Sequence, residues 1–167
     1  MDEIRLTGYT PGAMGRIIEL HGAYYARYWD LGLYFETKVA TELAAFMSRF
    51  DAAHDGAWFA HVGERIVGGI FIDGSRVADE GARLRWFILD EAYQGLGLGA
   101  RLMDAAMDFC RRQGFRRVYL TTFAGLTAAR HLYEKHGFTQ YDEIDGTELT
   151  GNPALTEQFL EWVMPDA

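Results

Sequence analysis

Asp90–Leu102 reads DEAYQGLGLGARL, with Gly95, Gly97 and Gly99 alternating with two leucines where a helical pattern begins. Glycine this dense is costly, because each one loses more backbone freedom on folding than any other residue. The compensation lies in the position. The first turn of a helix leaves backbone N–H groups without internal partners, and with the helix dipole these make an anion site. Glycines ahead of it remove side chains that would hold a phosphate away, and they permit the φ values of an N–H nest. The stretch reads as a phosphate-binding turn; the alternative is a glycine-rich turn that holds no ligand. A nucleoside-triphosphatase loop is disfavoured, since no lysine and hydroxyl residue follow Gly99. A dinucleotide fingerprint is disfavoured too. Its third spacing is wrong here, DEAYQ separates the strand from the glycines, and the next strand ends in Thr121, Thr122 and Phe123 without a carboxylate.

Composition limits what such a turn can serve. The chain has 167 residues, 49% of them hydrophobic, which suits one domain over residues 1–167 with a sizeable core. The net charge of −8 argues against nucleic acid as the main partner, yet leaves room for a small anion in a local pocket. Cys110 is the single cysteine, so no internal disulfide forms, and a reducing compartment fits. The first residues lack the basic-then-apolar run of a signal peptide, and no apolar run is long enough for a membrane span. A cytoplasmic protein without membrane contact is expected. His131 and His136 are five apart rather than four, and the five histidines show no metal-ligand spacing, so no metal is expected.

Working outward from the glycines, LGARLMDAAMDFCRRQG carries the strongest helical pattern, with Leu98, Leu102, Ala105, Ala106, Phe109 and Cys110 as its buried stripe. Arg111 and Arg112 suit its negative end, and Gly114 suits the left-handed position beyond it. Upstream, AWFAHVG and RIVGGIFID read as a hairpin joined at GE, and Ala82–Asp90 as a third strand. Further upstream, a strand over Ile4–Thr7 precedes a helix opening at Thr10-Pro11 and a second helix from about Glu36 to Phe50. Downstream come a strand over Arg117–Phe123, a helix over TAARHLYEKHG stopped by Gly137, and two strands, FTQYDEI and TEQFLEWVM. The order predicts an α/β (α+β) fold, a mixed sheet covered by helices.

QGLGLG, Gln94–Gly99, resembles the Q/R-x-x-G-x-G/A motif of the GNAT superfamily, the GCN5-related N-acetyltransferases. The helix after it, the strand VYLTT and the segment AARHLYEKHGF, similar to that family's A-x-x-L-Y-x-x-x-G-F signature, extend the resemblance over about Ile4–Val163. MGRIIELHGAYYARY and TEQFLEW also resemble the acetyltransferase domain often fused behind a MarR-type regulator; no such domain precedes them here, and a stand-alone acetyltransferase is expected. The resemblance implies a GNAT fold, a mixed, mostly antiparallel central sheet with helices on both faces. It implies acetyl-CoA as co-substrate and an amine of a small molecule or peptide as acceptor, acetylated by direct attack. A non-catalytic acyl-CoA-binding sensor is the alternative, and a binding-incompetent interaction protein a further one. Dimers are common in such families, so monomer and homodimer both stay open.

The resemblance also distributes roles. The pyrophosphate falls to the backbone of Gln94, Gly95, Leu96, Gly97, Leu98, Gly99 and Ala100. The pantetheine arm lies along the strand at Phe87, Ile88 and Leu89, where the sheet of such proteins splays. Arg101, Arg130 and Lys135 are phosphate candidates. Phe123 stands where many members have asparagine, so Thr122 or a backbone group must supply that contact. Tyr133 matches the position of a general acid, and a phenol near pKa 10 suits a departing thiolate. The acceptor side falls to the N-terminal helices, with His21, Tyr25 and Glu36 as binding candidates and His21 or Glu36 as the base; a water chain is equally open. The aromatic cluster Tyr24, Tyr25, Tyr28, Trp29, Tyr34 and Phe35 reads mainly as core, or else as the lining for a cationic amine. Cys110, on the apolar stripe, reads as a structural thiol.

Overall fold

The computed structural model describes residues 2–166. Seven strands form one sheet: β1 (Ile4–Thr7), β2 (Gly56–Val62), β3 (Arg65–Asp73), β4 (Ala82–Leu89), β5 (Arg117–Phe123), β6 (Thr139–Asp145) and β7 (Thr156–Val163). Their order is β1-β2-β3-β4-β5-β7-β6, antiparallel throughout except between β4 and β5. The helices are α1 (Ala13–Trp29), α2 (Leu33–Ser48), α3 (Leu98–Arg112), α4 (Thr127–Lys135) and the single turn α5 (Thr147–Thr150).

Alternation along the strands builds two cores. Ala60, Ile70, Ile72 and Leu84 pack with α3 and α4 on one face of the sheet. Phe59, Phe71, Ile88 and Phe123 pack with α1 and α2 on the other. Expected and observed elements agree closely in kind and order, with differences at their ends. α1 starts behind Gly12 (φ 88), and Thr10-Pro11-Gly12 form a turn in which the Ala13 N–H donates to the Thr10 carbonyl at 3.0 Å. α2 starts at Leu33, ahead of the expected Glu36; Leu33 and Tyr34 are exposed, and of these first residues only Phe35 joins the buried face. On α3, Met103 and Met107 are fully buried while Ala105 is only half-buried, so the apolar face is wider than the stripe read from the sequence. α5 and a short 3₁₀ turn at Glu91–Tyr93 are too short for periodicity to reveal.

The feature that positions the site is the β4/β5 boundary. These parallel strands pair only at Ala82↔Val118 and Arg83↔Tyr119, then diverge. On its other side β4 stays paired with β3 as far as Gly68↔Leu89, through an irregularity between Gly69 and Phe71. Opposite it Trp86 sits at φ 47, a left-handed conformation that a bulky residue adopts only when its surroundings impose it. The ring is held between Phe46 (5.6 Å) and Phe71 (5.5 Å), with the Arg85 guanidinium 4.1 Å above it. The bulge turns the second half of β4 away from β5, so the backbone of Phe87–Leu89 faces the gap without a strand partner on that side.

Candidate active site

A groove of about 570 Å³ opens from this gap. Its walls are the end of β4 at Phe87, Ile88 and Leu89, the glycine turn, and Gly125 to Ala129 leading into α4. Gly95 and Gly97 take φ values of 80° and 78°. Gly97 is the N-cap of α3, no side chain caps this end, and the first N–H returned to the helix ladder is that of Arg101 on the Gly97 carbonyl, at 3.1 Å. The N–H groups of the first turn are therefore left for a ligand. Asp90 anchors the turn: its carboxylate accepts from the Ala92 N–H at 3.0 Å and pairs with Arg16 of α1 at 2.8 Å.

A second cavity of about 210 Å³ lies deeper in the splay, between α2, α4, β4, β5 and β7. It shares Tyr25, Phe87, Leu126 and Ala129 with the groove, so the two spaces meet at these residues. Tyr133 lines this chamber and is 6% exposed. Among the described residues its hydroxyl has no hydrogen-bond partner, and burial pushes its pKa well above the usual phenol value. The group is a phenol at every working pH. Tyr25 is raised likewise, by burial first and then by the neighbouring Tyr133 and Tyr24 hydroxyls.

Of the expected acceptor-side residues, His21 and Tyr25 line the chamber and stack at 6.0 Å. His21 Nδ1 lies 2.8 Å from the Ile17 carbonyl, which can only accept, so Nδ1 carries the proton and Nε2 the lone pair. Burial lowers the His21 pKa to about 4, outweighing the raising effect of that carbonyl bond. The ring is neutral at pH 7 and a weak base. Because the folded pKa lies below the unfolded value of 6.5, the unfolded chain binds the extra proton in between. The stability carried by the neutral ring is complete above about pH 6.5 and is lost as pH falls towards 4. Acidification from pH 7 to 4 is expected to cost the wild type about 3 kcal/mol through this group. His21→Gln should show a correspondingly shallower loss in denaturant titrations at the two pH values; equal slopes would refute the assignment.

Glu36 lies elsewhere: it is exposed, and its carboxyl fills the space beside Gly22 where a Cβ would stand. Of the loop residues, Gln94, Gly95, Gly97, Gly99 and Ala100 line the groove, while Leu96 is exposed and the Leu98 side chain is fully buried in the core. Arg101 lies on the exposed face of α3, outside the groove lining. Arg130 is engaged away from both cavities, with Glu134 at 2.6 Å, Gln140 at 2.8 Å and Gln158 at 3.2 Å. Thr122 lines the chamber rather than the groove, and Phe123 packs edge-on against Trp29 at 4.7 Å. Of the aromatic cluster, Tyr25 and Phe35 line the chamber and Tyr24 the groove, whereas Tyr28 and Tyr34 are exposed. The Cys110 thiol is buried and pushed up to about 12 by burial, which leaves it unreactive. Among the described residues, no cluster of three or more His, Cys, Asp and Glu side chains is arranged as a metal site, and no helix is long and apolar enough to cross a membrane.

What the sequence did not single out is the charge inside the chamber. Lys38, Arg83 and Arg85 line it together with Glu42, Glu148 and Glu157. Glu42 accepts from both Lys38 and Arg85, each at 2.9 Å. Burial, and secondarily Arg83, brings the Arg85 pKa down to about 10. Glu157 is 6% exposed and its pKa is raised, by burial first and then by Glu148. Strand alternation carries the signal: Arg83 and Arg85, two apart on β4, share a face.

The sequence model of the acetyltransferase (GNAT) family matches residues 16–138, and the chain belongs to that family. The uncharacterized N-acetyltransferase YjgM of Escherichia coli is 31% identical over 139 residues, 83% of this chain and 81% of that one. Mycothiol acetyltransferase of Geodermatophilus obscurus is 36% identical over 96 residues, 55% of this chain and 30% of that one. The chain spans less than half the length of four of the curated relatives it matches. Among solved structures, the acetyltransferase yncA of Salmonella typhimurium, determined with its cofactor acetyl-CoA, superposes with a TM-score of 0.76 at 16% identity, covering 98% of this chain and 95% of that one. The mixed sheet and its helices are thus those of GNAT proteins.

Proposed function

We propose that the protein is an acetyl-CoA-dependent N-acetyltransferase that acetylates a primary amine by direct attack. The observation that carries this is the meeting of two spaces at the β4/β5 splay: a groove ending in an uncapped helix N-terminus, and a polar chamber with Tyr133 at its wall. The groove fits a chain that bears amides at one end and phosphates at the other. Its amides bond to the free backbone of Phe87–Leu89, and its pyrophosphate rests on the N–H groups ahead of Arg101. The thioester then reaches the junction at Tyr25, Phe87, Leu126 and Ala129. The amine nitrogen attacks the carbonyl carbon from the chamber, the C–S bond breaks, and the departing sulfur takes the Tyr133 proton. The amine gives up its proton to a carboxylate of the chamber or to water; Glu157 and Glu148 are the carboxylates that His21 and Glu36 do not replace. The likeness to the domain fused to MarR-type regulators is carried by the two sequence segments alone, and the cytoplasmic assignment by composition.

Calorimetry with acetyl-CoA and with free CoA, followed by thiol release over an amine library, tests this. Binding with thiol release on one amine class is the expected result. Binding without turnover on any amine would favour a sensor, and absence of binding would refute the reading of the glycine turn.

A further inference from the structure

We propose that the acceptor is a small primary amine that also carries a carboxylate, and that Arg83 is the group that recognises it. This rests on the acetyl-transfer reading and names its substrate class. The chamber holds three cationic side chains, but their counter-charges are unequally distributed. Lys38 and Arg85 share Glu42, each at 2.9 Å, and Arg85 also has Asp73 at 4.0 Å. Arg83 has no such partner. Among the described residues no carboxylate lies within 4.0 Å of its guanidinium. Its one hydrogen bond among the described residues is a long one, 3.4 Å, to the Thr121 hydroxyl. Its Nε is buried and donates to nothing.

Arg83 is half-buried, and an unmet buried donor at its Nε costs free energy that a fully solvated arginine would not incur. The same fork offers two parallel donors to a planar carboxylate, the arrangement in which arginine binds most strongly. Two alternatives within the chain are weaker. Glu157 is near enough for Arg83 to favour its charged form, but it stays beyond ion-pair distance. Glu42 is already shared. Arg83 sits on β4 at the last residue paired to β5, so it stands at the point where the splay begins, below the chamber. A ligand carboxylate on Arg83 leaves the amine directed towards the opening, where Tyr133 and the groove junction lie. Glu148 and Glu157, neither of them held in an ion pair among the described residues, suit the ammonium form of the same molecule. The chamber thus carries groups for both the anionic and the cationic end of a zwitterion.

The test compares amino acids with their amides as acceptors in the wild-type protein with saturating acetyl-CoA, and repeats the comparison in Arg83→Gln and Arg83→Lys. The expected result is a kcat/KM preference for the acid of about tenfold or more, carried by KM. Arg83→Gln should bring the acid-to-amide ratio close to one, and Arg83→Lys should restore part of it. Amides and acids used equally by the wild type, or a ratio unmoved in Arg83→Gln, would overturn the proposal. A second readout needs no turnover: binding of N-acetylated amino acids to the protein–CoA complex by calorimetry, expected in the wild type and lost in Arg83→Gln. That binding without transfer to any amine would sink the acetyl-transfer reading and keep the carboxylate site. Retained acetyl-CoA binding in Arg83→Gln establishes that the variant is folded. Retained transfer to amines with no carboxylate dependence would sink the carboxylate site alone.

Discussion

Replacing Tyr133 by phenylalanine is expected to lower kcat by about 100-fold to 10,000-fold, the range of a lost general acid, with affinity for acetyl-CoA retained. The geometry separates the two readouts. Tyr133 lines the chamber, not the groove, so its hydroxyl is absent from the surface that would hold the nucleotide end of the cofactor. The ring is wedged between Phe87 at 6.0 Å and Phe138 at 6.1 Å, contacts that phenylalanine keeps. Because the hydroxyl has no internal partner among the described residues, its removal orphans no other group, and folding should be preserved. The pH dependence adds a second check. Burial holds the phenol protonated well beyond its ordinary range, so Tyr133 should contribute no falling limb to the wild-type kcat profile below about pH 10. Turnover unchanged in Tyr133→Phe would remove the acid role, and turnover lost together with acetyl-CoA binding would make the residue structural.

The sequence showed the groove more fully than the chamber, and the reason is physical. A phosphate site at a helix N-terminus is built from contiguous backbone, so its signal is local: glycines at fixed spacing, then an amphipathic helix. Gln94, Gly95, Gly97, Gly99 and Ala100 therefore line the groove, whereas Leu96 is exposed and Leu98 packs in the core. Tyr133 is likewise placed by local sequence, on α4 just ahead of the stop at Gly137. The chamber assembles from α1, α2, β4, β5, α4, α5 and β7, which are distant in the chain. Nothing in the order of residues says that Glu42 of α2 meets Arg85 of β4, or that Glu157 of β7 faces Arg83. Glu36 follows from the resemblance only through its place in the N-terminal helices; six residues further along α2, Glu42 occupies the face that turns inward. Arg130 was judged by charge and place on α4, but Glu134, one turn later on the same helix, and two glutamines of the neighbouring strands occupy its guanidinium. The splay itself has no sequence signature beyond the bulge at Trp86, where tertiary packing of an aromatic ring overrides its backbone preference.

Gly97→Asp should raise the dissociation constant for acetyl-CoA by at least about 100-fold while leaving the melting temperature close to wild type. Two effects of the substitution oppose each other in the free protein. The left-handed φ of 78° disfavours any side chain, but aspartate tolerates it better than most. A carboxylate at the N-cap of α3, where no side chain now caps the helix, is favourable to the dipole and to the free N–H groups. Among the described residues, apart from its neighbours in the chain and the adjoining helix backbone, no atom lies within 4 Å of the position a Cβ would take, so there is no clash to relieve. Stability therefore changes little. The ligand experiences only the unfavourable part. The new carboxylate occupies the N–H groups that the pyrophosphate requires, and it repels the phosphate. At about 5 Å and an effective dielectric constant of about 20, that repulsion is roughly 3 kcal/mol per phosphate charge, more than 100-fold in affinity. Gly97→Ala, which adds a methyl without charge, should weaken binding less, and raised salt should recover part of the loss in the aspartate variant but not in the alanine one. Calorimetric affinities for the three proteins at low and high salt decide it. Unimpaired binding in Gly97→Asp would mean that the phosphates rest somewhere other than the glycine turn. Loss of binding together with loss of the folded state would mean that the glycine serves the helix rather than the ligand.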